Sequence, residues 1–337
     1  MKRHVNIPIF IPHLGCPNQC VFCNQRSISG VQSFRLESVK EQIDDALHTI
    51  GDGIETEIAF FGGSFTGIDR NLMIDLLKIA YSYIECGRVS CIRCSTRPDY
   101  IDDEILSILK KYGVKVIELG LQSASPDVLS ATKRGHNFED EINACRLIVE
   151  RGFDLVGQMM IGLPMATEES EIKTADFIIE AGAKGARIYP TVVFKDTELC
   201  RMTYEGEYKP LDEREAIRRS ANVMRRFIDA GVDVIRVGLC ASENLSDEST
   251  YVAGPNHSAL GELVINEIYY HLLRDLIIKE NLIEHKFVTI LVSRGSTSKA
   301  IGQKRRNIIR LKQEFKTLDI KITECDELSD YSIKTER

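Results

Sequence analysis

No run of apolar residues in the chain approaches the roughly 20 needed to cross a bilayer, and tryptophan is absent. The N-terminal stretch MKRHVNIP breaks at Pro8 and again at Pro12, too early for the apolar core of a secretory leader. Membrane-spanning and exported classes are therefore set aside, and a cytoplasmic protein with no membrane partner is the expectation. Internal repeats and low-complexity tracts are also missing, which excludes solenoids. A net basic charge is lacking too: 43 Lys and Arg face 50 Asp and Glu, for a net charge of -7. The molecule as a whole does not have the footprint of a nucleic-acid binder. What remains is an ordinary globular composition, 43% hydrophobic and 28% charged. At 337 residues the chain exceeds what one compact domain usually needs.

Ten cysteines without an export signal argue for thiolates used as metal ligands rather than for disulfides. Cys16, Cys20 and Cys23 make a C-x-x-x-C-x-x-C pattern in a loop containing Gly15 and Pro17, with Phe22 just before the last cysteine. Three thiolates can hold three irons of a cubane cluster and leave the fourth open. A zinc loop with His13 as a fourth ligand is the alternative. Cys86, Cys91 and Cys94 repeat a plant-type ferredoxin spacing, but Cys91 and Cys94 fall on a predicted strand, where an odd separation sends them to opposite faces. Cys145, Cys200, Cys240 and Cys325 read as small hydrophobes; of these Cys240, at a strand end, is placed to donate a hydrogen atom.

Short apolar runs at 5–11, 57–61, 89–95, 114–121, 155–163, 187–193 and 232–239 read as buried strands. Amphipathic stretches at 36–50, 72–84, 102–111, 138–150, 168–181 and 212–230 read as helices between them. This alternation predicts an α/β fold, a partial (β/α)6-type TIM-like barrel over residues 1–241. Chemistry in such barrels sits at the C-terminal strand ends. Insertions at 194–211 and 242–258 are long enough to be functional or disordered.

The cysteine motif resembles that of the radical S-adenosylmethionine (SAM) superfamily. Further segments resemble the branch holding the Elongator catalytic subunit and the oxygen-independent coproporphyrinogen oxidases. Phe61-Gly62-Gly63-Ser64-Phe65-Thr66 stands where that family has its Gly-Gly motif, with Ser64 replacing the usual Glu. Cys94-Ser95-Thr96-Arg97-Pro98-Asp99, Glu118-Leu119-Gly120-Leu121-Gln122-Ser123, Lys133-Arg134-Gly135-His136, Met159-Met160-Ile161-Gly162-Leu163-Pro164, Ile188-Tyr189-Pro190-Thr191 and Gly254-Pro255-Asn256-His257 follow in order. The resemblance implies a [4Fe–4S] cluster on Cys16, Cys20 and Cys23, with SAM held by Phe22, Gly62, Gly63, Ser64, Glu118, Gln122 and Met160. It implies reductive cleavage of SAM to a 5′-deoxyadenosyl radical, fed by a reductase such as flavodoxin or ferredoxin. Tyr189 and Cys240 are the candidate catalytic side chains.

Residues 242–285 read as a connecting loop and helix, 286–324 as a small β-α-α-β unit, and 325–337 as a frayed tail. Between Arg294 and Lys316 eight basic residues meet only Glu314, a local charge of +7. The order strand, helix, Gly302-Gln303-Lys304-Arg305, helix, strand resembles the core of KH RNA-binding domains, with Arg305 replacing their second glycine. Gly302, Lys304, Arg305, Arg306 and Arg310 are the candidate RNA contacts; a solvated basic helix is the alternative. Three functions follow: a radical SAM enzyme acting on RNA, plausibly tRNA; a radical SAM enzyme acting on a small molecule such as a tetrapyrrole; or a non-catalytic iron–sulfur RNA-binding sensor.

Overall fold

The computed structural model describes residues 4–11, 16, 20–24, 34–51, 53–239, 250–316 and 318–336. Cys240, a candidate catalytic residue, and His13, the candidate zinc ligand, lie outside the described residues. The chain forms two compact units: Met1–Asp212 with Arg226–Asn256, and Glu213–Arg225 with His257–Arg337.

In the first unit, β1 (His4–Phe10), β2 (Glu55–Phe61), β3 (Cys91–Thr96), β4 (Val114–Gln122), β5 (Asp154–Ile161), β6 (Gly185–Pro190) and β8 (Asp233–Val237) make one parallel sheet in the order β1-β2-β3-β4-β5-β6-β8. The order is linear, so β1 and β8 are its margins and the sheet is a partial TIM-like barrel. β7 (Val193–Phe194) pairs instead with β9 (Tyr251–Ala253). Helices α1 (Glu37–Thr49), α2 (Arg70–Glu85), α3 (Asp103–Lys111), α4 (Pro126–Ala131), α5 (Phe138–Glu150), α6 (Glu168–Glu180) and α7 (Glu198–Tyr204) fall between strands, and α8 (Glu213–Asp229), most of which counts with the second unit, precedes β8 in the chain.

The strands read as continuous apolar runs because both their faces are covered; β2 buries five consecutive residues, Thr56 to Phe60. Helices cover the outer face with single stripes: Val39, Ile43 and Leu47 from α1, and Met73, Leu76, Leu77 and Ala80 from α2. Helix starts are fixed by side-chain caps. Asp102 accepts from Ile105 N, and Asn137 with Asp140 and Thr167 with Ser170 form reciprocal capping boxes.

The first insertion is ordered. Thr197 caps α7, and Leu199, Cys200 and Tyr208 pack with Val193 on Val21 of the cysteine loop. Backbone bonds from Leu199 N to Val21 O (2.8 Å) and from Val21 N to Thr132 O (3.2 Å) tie that loop down.

In the second unit, α9 (Leu260–Lys279) packs on β10 (Phe287–Ser293), α10 (Thr297–Ile301), α11 (Arg306–Glu314) and β11 (Asp319–Cys325). β10 and β11 are parallel neighbours. The last residues are not a frayed tail. β12 (Ile333–Thr335) pairs antiparallel with β10, and Tyr331 stacks on Tyr269 with ring centroids 5.7 Å apart. A strand this short has too few alternations to register as a period.

Candidate active site

The cysteine loop follows β1, and its sulfurs face cationic side chains. Cys20 is buried, while Cys16 and Cys23 are half-buried. Arg134 places Nη1 3.1 Å from the Cys20 sulfur, and Arg97 Nη1 stands 3.9 Å away. Each arginine is only 5% exposed. Arg134 is fixed by donating Nη2 to Gly120 O, and Arg97 by a two-pronged bond to Asp99 at 2.9 Å on each prong. Burial pushes the Cys16 thiol up, but the backbone N–H of Ser64 and the charges of Arg97 and Arg134 oppose it. Buried guanidiniums beside the cysteine loop suit sulfurs that carry negative charge. The surroundings therefore fit an iron–sulfur centre. Among the described residues no three Cys, His, Asp or Glu side chains are drawn together as a metal-ligand set.

Beside the loop lies a cavity of about 440 Å³, lined at its mouth by Phe22, Cys23, Gly62, Gly63, Gln122 and Met160. Gly62 has φ +102°, and a Cβ there would stand 3.1 Å from the backbone N and O of Ile11. The missing side chain thus lets β2 approach the backbone that follows β1. Gln122 ends β4 with φ 71° at a register shift, and its Oε1 is buried without a partner. A non-glycine residue held in the left-handed region with an unsatisfied amide is the form of strain that collects at binding sites.

Two of the residues expected to meet SAM have polar partners within the protein. Ser64 is 1% exposed, and its hydroxyl bonds Thr96 Oγ1 at 2.8 Å in a trio completed by Thr66. Its backbone, not its side chain, meets the cysteine loop. Glu118 lies on the cavity floor fully buried, and its carboxylate already accepts from Arg93 Nη1, Arg187 Nη2 and Gln158 Nε2, each at 2.9 Å. It holds the floor together and has little capacity left for a ligand. Tyr189 lines the same cavity next to Arg187. Burial pushes its phenol up, so it stays protonated at neutral pH.

The ferredoxin-like spacing does not gather its cysteines. Cys86 is exposed at the end of α2. Cys91 and Cys94 are both buried because both faces of β3 are covered. Burial and then Glu57 push the Cys91 thiol up to about 12, and burial raises Cys94 further. Such thiols stay protonated and are poor ligands. Cys145 and Cys200 are buried as small hydrophobes, whereas Cys325 is only half-buried.

In the second unit Gln303, Lys304, Arg305 and Arg306 are exposed at the turn between α10 and α11. Lys304 and Arg305 adopt positive φ, 52° and 60°. Two buried asparagines hold the turn: Asn266 Oδ1 accepts from Gln303 N at 2.9 Å, and Asn307 Nδ2 donates to Asn266 O at 2.7 Å and Ala300 O at 3.1 Å. Arg310, expected beside the turn as an RNA contact, is committed elsewhere. It makes a two-pronged ion pair with Glu267 and lies 3.5 Å over the Tyr270 ring.

Sequence reasoning missed Arg93, Arg187 and Arg236, and it quoted Arg97 and Arg134 within motifs without giving them a role. Arg93 and Arg187 had a signal: each is the lone charge of a buried strand, a placement that requires a buried partner.

Residues 10–178 match the family model for the radical SAM superfamily, and residues 183–270 match its C-terminal domain. An uncharacterized protein of Methanocaldococcus jannaschii is 32% identical over 228 residues, 64% of this chain and 70% of that one. The tRNA uridine(34) acetyltransferase of the same organism is 30% identical over 211 residues, 62% of this chain but 38% of that enzyme, so the chain spans well under half of that relative's length. The structure of Methanocaldococcus infernus Elp3 superposes with a TM-score of 0.63 at 21% identity, covering 84% of this chain and 64% of that one, which establishes a shared fold. No helix among the described residues is long and apolar enough to cross a membrane. The chain belongs to the radical SAM superfamily and is an enzyme whose cofactors are a [4Fe–4S] cluster and SAM.

Proposed function

We propose that this radical SAM enzyme modifies RNA, with a transfer RNA as its substrate, and that residues 286–324 hold that RNA. The observation that carries the reading is the Gly302-Gln303-Lys304-Arg305 turn, which presents three successive cationic side chains, Lys304, Arg305 and Arg306, on a backbone pinned from below by Asn266 and Asn307. Gly302 has φ +78°, and a Cβ there would stand 3.0 Å from the Asn307 side chain, so the turn needs glycine at that position. A rigid, close-approaching turn flanked by cations matches what a nucleic-acid backbone requires. The relatives named for action on tRNA support the same reading.

In the barrel, Cys16, Cys20 and Cys23 would hold the cluster, and Phe22, Gly62, Gly63, Gln122 and Met160 would enclose SAM. The cofactor pair, when bound, supplies one-electron cleavage chemistry and draws on an external reductase. The protein's own part is to set the Arg134 and Arg97 guanidiniums beside the Cys20 sulfur, and to offer Gln122 as a hydrogen-bonding amide on the cavity wall. Tyr189 keeps its proton deep in the cavity, where it can donate a hydrogen bond or a hydrogen atom.

Two measurements test the reading. Anaerobically reconstituted enzyme with dithionite and SAM should release 5′-deoxyadenosine, and Cys20→Ser should release none while keeping the barrel's circular dichroism. Binding of bulk tRNA should weaken steeply with salt. The double variant Lys304→Ala, Arg305→Ala should flatten that slope by about 1.5, from a counterion release of about 0.7–0.9 per phosphate contact. An unchanged slope would remove the RNA-holding role from the turn.

A further inference from the structure

The barrel interior carries three arginines on its strands, and only two are matched by acids. Glu57, Arg93, Glu118 and Arg187 form an alternating chain, with Glu57 Oε2 2.5 Å from Arg93 Nε, Glu118 2.9 Å from Arg93 Nη1, and Glu118 Oε2 2.7 Å from Arg187 Nε. That chain is neutral. Arg236 is outside it. It is the register partner of Arg187 across β6 and β8, so two guanidiniums leave adjacent strands side by side. Among the described residues Arg236 has no ion pair, and its Nε is buried without a hydrogen-bond partner. Asn6, on the opposite margin of the sheet, lines the same cavity and has a buried, unpartnered Oδ1. An amide in that position is free to present its NH2 end, since oxygen and nitrogen exchange by rotation. Adjacent like charges destabilise a sheet, and Arg236, half-buried on β8, has its Nε withdrawn from water with no hydrogen-bond partner among the described residues. The fold tolerates both at one place, and that place opens into the cavity.

We propose that Arg236, with Arg187, Tyr189 and Asn6 around it, binds an anionic group, a carboxylate or a phosphate, on the second molecule that enters the active site beside SAM. The inference rests on the radical SAM assignment of the barrel and is independent of the RNA reading. Depth separates this group from the methionine carboxylate of SAM. Gly62, Gly63 and Gln122 stand at or just beyond the C-terminal ends of β2 and β4, next to the cysteine loop. Arg187 and Asn6, the third residues of β6 and β1, lie on the strands themselves, and Arg187 is in register with Gln158 of the floor. An anion there would sit deeper along the strands than Gly62, Gly63 and Gln122, the residues that would enclose SAM. It would supply the counter-charge that Arg236 lacks among the described residues and relieve the repulsion between the two arginines. The substrate moiety that reaches the interior is therefore acidic.

The test uses cluster-loaded enzyme with succinate and inorganic phosphate as probes, at constant ionic strength against chloride. Thermal unfolding of the wild type should shift upward with at least one probe. Arg236→Gln should weaken that probe about 10- to 100-fold, the worth of a charged hydrogen bond, while Arg236→Lys should lose less. SAM affinity, followed by the change in the cluster's EPR spectrum, should stay within about two-fold in both variants. A wild type indifferent to both probes, or a glutamine variant that responds like the wild type, overturns the proposal. Loss of SAM binding with an unchanged probe response assigns Arg236 to SAM and overturns it equally. Should Arg236→Gln fail to fold, the lysine variant carries the comparison. None of these arms involves RNA, so the turn at Gly302 stands or falls separately.

Discussion

Two guanidiniums converge on the Cys20 sulfur, and each is held by a neighbour rather than by the sulfur itself. Their charge lowers the energy of whatever negative charge the sulfur carries, so the cluster should be both tighter and easier to reduce because of them. Arg134→Ala is expected to lower iron affinity about 10- to 100-fold and to move the cluster's midpoint to more negative potential in an EPR-monitored titration. Arg134→Lys should recover part of the potential. A midpoint that does not move would reduce Arg134 to a loop anchor. Gly62 is the second residue-scale case. With φ +102° and the Ile11 backbone 3.1 Å from where a β-carbon would stand, Gly62→Ala should cost about 1–3 kcal/mol, measurable by denaturant unfolding. The glycine pair was legible in the sequence; the close packing of Gly62 on Ile11 was not, because nothing local in the sequence says that Ile11 passes there.

At the scale of elements, strands and helices were readable where a run was long and one-sided. All seven barrel strands and their principal helices sit within a few residues of the periodic stretches. The elements that escaped, α4, α7, β9 and β12, are of seven residues or fewer and depend on packing. Strand charges escaped for another reason: an apolar run with one arginine reads as a strand with a defect until its partners on three other strands are seen. Glu118 is the hub of those partners, so Glu118→Leu should leave Arg93 and Arg187 buried and short of charge, a loss of about 3–5 kcal/mol that would vanish if the carboxylate were dispensable. In the second unit, α9 and α11 are joined by Glu267 and Arg310. Burial works to raise the Glu267 carboxyl, but hydrogen bonds from His271 and Arg310 outweigh it and hold it at about 2. A carboxyl lowered by folding contributes stability above its unfolded value, near 4.3, and loses it as pH falls toward 2. Thermal midpoints measured from pH 6 down to pH 2 should therefore fall less steeply for Glu267→Gln than for the wild type.

At the scale of the whole molecule, the cysteines divide by surroundings rather than by spacing. Burial pushes the thiols of Cys91 and Cys145 up to about 12, while Cys86 is exposed. Iron removal by a chelator under nondenaturing conditions should open Cys16 and Cys23 to iodoacetamide, with Cys86 reactive throughout and Cys91, Cys94 and Cys145 protected until the barrel unfolds. Labelling of Cys91 or Cys94 in the folded, iron-free enzyme would contradict their placement. Charge divides the molecule as well. A chain of net charge -7 carries its +7 excess on a short segment of the second unit, so a polyanion is attracted to one region and repelled elsewhere. That asymmetry was visible in the sequence. The pinning of its turn by Asn266 and Asn307 was not, since the two residues are 41 positions apart.

The parallel sheet stops before it becomes a closed cylinder: β1 and β8 are not paired among the described residues. A slot is left where a sealed barrel of eight strands would have a wall. A long polymer can rest outside such a slot and insert a single moiety, with no need to be threaded or swallowed whole. On the reading of Arg236 given above, an acidic guest would be drawn toward that margin by the charge on β8.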